Sequence, residues 1–253
     1  MTTASGSGVG PVFQAIQPPR RESGFSLIEL AVVIVITTLL LGSLLIPIAT
    51  QVDNRRYSET EKQLAHIREA LIGFALAKRY FPCPAISATN GLEDRDSTTN
   101  ACTDPGGGPK RDGFLPWVTL GVTRHDAWNN LFRYSVTPSF ANSNPNSYFA
   151  LDTNGDIQIK ASSTVNLTNN EIPAIVLSHG KNGFGATSSI GTARYTPGSW
   201  AGDEQVNATD VDEVYVRVRT ENTSATGGEY DDVVAWISLN QLFARMVSAG
   251  RLP

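Results

Sequence analysis

One acidic residue stands at the start of the longest apolar segment of the chain. Glu29 directly precedes Leu30–Ala49, a run of about 20 residues without a charged side chain. An unpaired carboxylate costs about 2.5 kcal/mol or more at the centre of a bilayer and somewhat less near its surface. A cation beside the carboxylate offsets this cost. The sequence therefore predicts that Glu29 has a charged partner.

A second acidic pattern lies in the middle of the chain. Asp152, Asn154 and Asp156 stand two residues apart, which is the spacing at the start of an oxygen-rich calcium loop. The glutamate at the twelfth position of such a loop is missing, and the segment contains an Asn-Gly pair typical of a tight turn. The pattern favours a hairpin turn between strands at Tyr148–Leu151 and Ile157–Lys160 over a metal site.

No arrangement of residues typical of an enzyme occurs. Ser178 and His179 are adjacent, so their side chains diverge in a strand, and the chain has neither a nucleophile elbow nor a zinc-protease helix motif. His66 and the His125-Asp126 pair are interpreted as surface or structural residues. A formal net charge of −4 provides no basic field for nucleic acids. We expect a protein that is not an enzyme and does not bind nucleic acid.

The segment that positions Glu29 is long enough to cross a membrane. About 20 residues at about 1.5 Å each extend roughly 30 Å, which is the thickness of one hydrocarbon core. Arg20 and Arg21 precede the run, so the N-terminus is expected in the cytoplasm and the bulk of the chain outside it. The run continues into charged residues instead of a signal-peptidase site. The sequence predicts a membrane-spanning segment at about 28–49, which alone would fit a signal anchor.

The residues before this segment resemble a processing motif. Residues 24–30 read G-F-S-L-I-E-L, which resembles the cleavage and methylation motif of type IV prepilins and type II secretion pseudopilins. The resemblance implies a leader at 1–24, a cut between Gly24 and Phe25 by a prepilin peptidase, and methylation of the new amine of Phe25. It also implies that Glu29 pairs with that amine in a neighbouring subunit and sets the register of assembly.

Beyond the apolar run, the helix is expected to continue and to become amphipathic. Leu64, Ile67 and Leu71 recur at helical spacing with charged residues between them. Prolines at positions 82 and 84 end the helix, because the residue before each proline is pushed out of the helical region. The N-terminal helix is therefore predicted over 25–80.

The remainder of the chain, 81–253, is predicted to be a globular head. Alternating or continuous apolar residues indicate strands at 132–136, 175–177 and 214–218. Ser238 and Gln241 have capping-box spacing, which predicts a short C-terminal helix. The expected fold class is α+β and pilin-like, with a long N-terminal helix packed on an antiparallel β-sheet.

The two cysteines enclose a loop that follows the predicted helix. If the head is exported, Cys83 and Cys102 are expected to form a disulfide, which closes a loop of about 20 residues and contributes about 3 kcal/mol. Two free thiols are the alternative.

Two patches of the head resemble major pseudopilins. Residues 126–134 are similar to a D-x-W-G-x-P-[FY]-x-Y segment, and residues 178–185 are similar to a loop that leads to an aspartate pair and binds calcium. The resemblance implies Ca²⁺ as the one cofactor, with ligands at Ser178, Asn182, Asp231 and Asp232. Hard oxygen ligands suit this ion. The alternative is that both aspartates only solvate a turn.

The resemblance implies a structural subunit of a type II secretion pseudopilus or a type IV pilus-like filament. Implied partners are copies of the chain, related pilins, the prepilin peptidase and the inner-membrane assembly platform. The subunit would start in the bacterial inner membrane with a periplasmic head and then enter a periplasmic or surface filament. An insertion at about 186–229 favours a specialised or minor role. The alternative is a membrane-anchored periplasmic enzyme or binding protein that uses the helix as a tether.

Overall fold

The computed structural model describes residues 24, 26–102, 111–169, 171–194, 202–210 and 212–252, with backbone only at 43–48. The chain divides into two compact units, Met1–Thr50 and Gln51–Pro253. The predicted leader before Gly24 and the predicted methylation site Phe25 lie outside the described residues.

The predicted N-terminal helix is confirmed. In chain order the helices are α1 (Leu27–Lys78), α2 (Trp117–Leu120), α3 (Pro138–Ala141), a 3₁₀ turn at Pro145–Ser147, α4 (Asp203–Thr209) and α5 (Leu239–Ser248). α1 ends at Lys78 because Arg79 adopts a left-handed conformation with φ of 70° and two prolines follow closely.

In the N-terminal unit, the described residues belong mainly to the first part of α1. Large apolar side chains are exposed on all faces of this helix segment: Leu27 is 88% exposed, Val32 50% and Leu39 70%. Within the part of the chain that the structure describes, no helix is both long enough and apolar enough to cross a membrane. The span at about 28–49 stays a prediction.

The head contains two sheets. In chain order its strands are β1 (Asp112–Phe114), β2 (Arg133–Val136), β3 (Gln158–Ser162), β4 (Val165–Asn166), β5 (Ala174–Ser178), β6 (Glu213–Tyr215) and β7 (Val233–Ile237). The larger sheet has the order β1-β2-β5-β7, and each neighbouring pair is antiparallel. The helix and this sheet confirm the α+β class.

The main core lies between the larger sheet, the second part of α1 and α5. Leu64, Ile67 and Leu71 are fully buried in it because their spacing places them on one face of α1. Leu242 and Met246 of α5 join the same core. This packing fixes β5 and β7, and two of the acidic residues described below directly precede β7.

Two local predictions in the head are confirmed. Cys83 and Cys102 form a disulfide with their Cα atoms 5.3 Å apart. α5 begins at the predicted cap, where Ser238 Oγ accepts a hydrogen bond from the backbone N–H of Gln241 at 3.3 Å.

The smaller sheet differs from the prediction. Its order is β4-β3-β6, and β3 and β6 are parallel. The predicted hairpin is wrong, because Tyr148–Leu151 is not a strand and Ile157 bridges to Ile172 instead. Asp156 accepts a hydrogen bond from the hydroxyl of Thr137 at 2.5 Å, a contact distant in sequence. Contacts between residues distant in sequence, rather than a local turn, therefore determine the conformation of this segment.

Candidate functional site

The N-terminal helix begins with a reciprocal capping pair. Glu29 Oε2 accepts a hydrogen bond from the backbone N–H of Ser26 at 2.8 Å, and Ser26 Oγ accepts one from the backbone N–H of Glu29 at 3.2 Å. Both N–H groups would otherwise lack a partner at the helix start. This role of Glu29 was not predicted, although the spacing of the two residues is the capping-box signature.

The surface around Glu29 is apolar and exposed. Glu29 itself is exposed, and among the described residues no lysine or arginine forms a salt bridge with it. Thr37 and Thr38 turn their hydroxyls back to carbonyl oxygens of α1, Val33 O at 2.8 Å and Ile34 O at 2.5 Å. Because these polar groups are satisfied inside the helix, its surface is suited to an apolar environment.

A cluster of three carboxylates, Glu204, Asp231 and Asp232, lies inside the head. Glu204 belongs to α4, in the predicted insertion, and the two aspartates directly precede β7. One carboxylate oxygen of each residue lies within 4.8 Å of the other two. The three residues are 1%, 6% and 7% exposed, respectively. We call this group the carboxylate cluster.

Hydrogen bonds fix one oxygen of each aspartate and leave the other without a partner. Asp231 Oδ2 accepts from the backbone N–H groups of Lys181 at 3.0 Å and Asn182 at 2.9 Å. Asp232 Oδ2 accepts from Asn207 Nδ2 at 2.8 Å. The Oδ1 atoms of both aspartates are buried and have no partner at hydrogen-bond distance within the described structure. The hydroxyl of Tyr57 lies near enough to Asp231 to lower its pKa. Two oriented, unsatisfied anionic oxygens are what a cation site offers.

Glu204 is held at the cluster from two sides. Its Oε1 accepts from the backbone N–H of Asp231, and its Oε2 accepts from Asn182 Nδ2 at 2.8 Å. Gly180 allows the close approach of the loop, since a Cβ there would lie 2.1 Å from Asp231 Oδ1 and its φ is +58°. The loop geometry therefore depends on a glycine at this position.

Burial dominates the electrostatics of the cluster. It raises the pKa of Asp231 to about 7, an effect to which the nearby charge of Asp232 adds. Burial also raises the pKa values of Glu204 and Asp232 well above their usual range, and the charge of Asp232 adds to the effect on Glu204. Charge compensation by a cation would remove this penalty.

A buried histidine borders the cluster without compensating its charge. His179 Nδ1 lies 3.6 Å from Asp232 Oδ1. Burial and the charge of Arg133 lower the pKa of His179 to about 3, so the imidazole is neutral near pH 7. Arg133 itself is engaged by Asp112, at 2.6 Å from its Nε.

The comparisons with known proteins concern the N-terminal segment. The family model described as "Prokaryotic N-terminal methylation motif" matches residues 19–45. The chain carries a prepilin-type methylation motif. This motif is the hallmark of type IV prepilin and pseudopilin-like proteins, and the matched segment contains Gly24, Phe25 and Glu29. No curated protein and no solved structure matches the chain.

The structure brings together part of the calcium set that was predicted for this chain. Asp231 and Asp232 both belong to the cluster. Ser178 lies elsewhere, because its hydroxyl donates to Asp126 Oδ2 at 2.5 Å. Asn182 contacts the cluster, but its side chain donates its amide hydrogens there and presents no oxygen.

Two residues of the cluster region were missed by the sequence-based prediction. Glu204 and Asn207 lie in the insertion, to which the sequence assigned no ligand. The one sequence pattern that could have pointed to them is the acidic pair Asp203-Glu204 in the first turn of a short helix. That pattern predicts a helix start, but it gives no indication of the distant aspartates.

Proposed function

We propose that this prepilin-type chain is a structural, non-catalytic subunit of a filament, either a type II secretion pseudopilus or a type IV pilus-like fibre. The observation that carries the proposal is the methylation motif at 19–45, which overlaps the start of a helix with apolar side chains exposed on every face. Such a surface is covered by lipid or by other subunits in a functioning protein. In a filament, helices of neighbouring copies and related pilins provide that cover.

Processing creates the positively charged partner that Glu29 lacks. A prepilin peptidase removes the leader after Gly24 and methylates Phe25, whose amine is cationic. That amine pairs with Glu29 of a neighbouring subunit in apolar surroundings, where an ion pair is stronger than in water. The capping bond from Ser26 holds the carboxylate at the beginning of the helix. The pairing therefore links processing to the register of assembly.

The proposed compartment follows from the same processing. The subunit is anchored by α1 in the inner membrane, with its N-terminus in the cytoplasm and its head in the periplasm, and an assembly platform transfers it into the filament. The Cys83–Cys102 disulfide supports an exported head, because disulfides persist in oxidising compartments.

The proposal includes a Ca²⁺ ion in the head. Asp231 and Asp232 would hold the ion through their unpartnered Oδ1 atoms, and carboxylate oxygens are the donors that this ion prefers. The bound ion would supply the positive charge that the buried carboxylates lack. Calcium outside the cytoplasm is abundant enough to fill a site with a Kd of roughly 10⁻⁴–10⁻³ M.

Coexpression with a prepilin peptidase tests the processing step. The wild-type chain should lose its leader, whereas Gly24→Leu should remain uncut because the peptidase requires a small residue before the cut. Gly42→Leu is the matched control, since a Cβ at Gly42 meets no other atom within 4 Å. An intact wild-type chain in peptidase-competent cells would contradict the proposal and favour a simple tether.

A further inference from the structure

The insertion helix α4 is attached to the head mainly by polar side chains. The buried residues of α4 are Glu204 and Asn207, and neither is apolar. Buried polar groups stabilise an attachment only when each finds a partner. The attachment of α4 should therefore depend on how the charge of Glu204 is compensated.

Asn207 makes the uncharged part of this attachment. Its Oδ1 accepts from the backbone N–H of Tyr215 at 2.6 Å, and its Nδ2 donates to Tyr215 O at 3.0 Å. The amide thus pairs with the open edge of β6 much as another strand would. These bonds join α4 to a strand of its own insertion. The bond from Asn207 Nδ2 to Asp232 then reaches the head.

Glu204 makes the acidic part, beside the bonds that Arg133 donates to the carbonyl oxygens of Asn207 and Asp210, and it faces two further carboxylates. The nearest cationic side chains form their salt bridges with other acids: Arg133 with Asp112, Lys181 with Asp53 and Arg217 with Asp203 of α4. The charge of Arg133 lowers the pKa of Asp232 and so offsets part of the cluster's negative charge. Ionised carboxylates whose oxygens lie within 4.8 Å of one another repel strongly in a buried site. Without a cation, this repulsion acts directly between α4 and the residues before β7.

We infer that one divalent cation, bound jointly by Glu204, Asp231 and Asp232, fastens the insertion helix α4 to the head. This inference rests on the proposed calcium site and adds a ligand from the insertion to it. Three protein carboxylates favour Ca²⁺ over Mg²⁺, because Mg²⁺ usually keeps several waters and takes one or two carboxylates. Cation binding and docking of α4 are then coupled, so that each stabilises the other.

Removal of the cation has a defined structural consequence. When α4 detaches, Asn207 leaves the backbone groups of Tyr215, and Arg133 loses its bonds to the carbonyl oxygens of Asn207 and Asp210. The edge of β6 and the guanidinium of Arg133 become accessible. A surface of the head would thus change with the calcium concentration outside the cytoplasm.

Hydrogen exchange on the full-length chain in detergent tests the inference. The amides of Val206 and Asp210 report on α4, because they donate to Gly202 O and Val206 O within this segment. With Ca²⁺ they should exchange at least about tenfold more slowly than with a chelator, and Mg²⁺ should protect them less. Equal exchange in Ca²⁺ and chelator would overturn the inference, whatever any variant does.

Glu204→Gln isolates the contribution of the insertion. The variant should bind Ca²⁺ at least about tenfold more weakly in calorimetry, and the calcium-dependent change in α4 exchange should disappear. Glu221→Gln is the matched control, since Glu221 lies in the same insertion but is 84% exposed. Unchanged calcium affinity in Glu204→Gln would refute the role of α4.

The outcomes separate this inference from the proposed function. If Asp232→Asn abolishes calcium binding and Glu204→Gln does not, the calcium site stands and the α4 link fails. If the wild-type chain binds no Ca²⁺, both the calcium site and the link fail. Cleavage after Gly24 is measured independently, so the filament proposal is decided by its own experiment.

Discussion

The N-terminal unit and the head place their carboxylates in opposite environments. Glu29 is exposed among exposed apolar side chains, whereas Glu204, Asp231 and Asp232 are buried in the head. Within the described part of the chain, neither group forms a salt bridge with a lysine or arginine. An exposed carboxylate needs no partner within its own subunit, so its partner can come from another subunit on assembly. A buried cluster, in contrast, has to be compensated within each folded subunit, here by the proposed metal ion.

The largest expected effect concerns Glu29 and separates its two roles. Glu29→Gln should keep the helix cap, because glutamine also fits the capping box, but it removes the charge. We expect normal cleavage and loss of most filaments, because the Phe25 amine would enter the filament without an anion. Electron microscopy of sheared fibres together with immunoblots of cell fractions measures this result.

Glu29→Ala completes the comparison at the N-terminus, since it removes both the cap and the charge. If the charge decides assembly, the two variants should lose filaments to a similar extent. Normal filaments from Glu29→Gln with defective ones from Glu29→Ala would show that the cap matters and would refute the pairing role.

The disulfide should stabilise the head and leave the N-terminal unit unaffected. Replacing Cys83 and Cys102 by serine should lower the free energy of unfolding of the head by about 3 kcal/mol, because the bridge joins residues 19 apart. Denaturant titration followed by tryptophan fluorescence measures the loss. Wild-type protein under reducing conditions should behave in the same way. No change in either sample would contradict the stabilising role.

Calcium should stabilise the head in a pH-dependent manner. At about 100 times its Kd, the ion should add about 2.7 kcal/mol to the wild-type protein and nothing to Asp232→Asn. Burial raises the pKa of Asp231 to about 7, above its unfolded value of about 4. Without calcium, the contribution of this group is therefore present below about pH 4 and lost as the pH rises through about 7.

Calcium competes with the protons that the carboxylate cluster binds. Its stabilising effect should accordingly grow between about pH 5 and about pH 8, as thermal unfolding with and without the ion can show. Equal stabilisation at both pH values would count against these carboxylates as ligands.

The smallest expected effects compare two serine caps. Ser26 and Ser238 each accept a hydrogen bond from a backbone N–H at the start of their helices. Ser238→Ala should lower the free energy of unfolding of the head by about 1 kcal/mol. Ser26→Ala should leave that value unchanged, because its helix start belongs to the other unit. Equal losses in the two variants would contradict this division.

Local patterns made much of the fold predictable. The spacing of Leu64, Ile67 and Leu71 and the capping pair Ser238 and Gln241 act over a few residues, so the sequence alone predicted α1 and α5. The hairpin at Tyr148–Lys160 failed, because contacts distant in sequence outweighed the turn propensity of its Asn-Gly pair. Local patterning predicted an antiparallel sheet, but it could not predict the parallel pairing of β3 and β6.

The candidate site shows the same limit. The motif around Gly24 and Glu29 is contiguous, so the sequence alone pointed to it. The sequence alone also singled out Asp231 and Asp232 as candidate ligands. Glu204, in contrast, lies 27 residues from Asp231 in sequence, and only the folding of the chain brings the two into contact. Its position could not be derived from spacing within a loop.

Mass spectrometry of the N-terminal peptide from membrane-extracted or filament-derived protein tests the central claim most directly. The account predicts a peptide that begins at Phe25 and carries one methyl group on its amine. A chain that still begins at Met1 in cells with an active prepilin peptidase would contradict it.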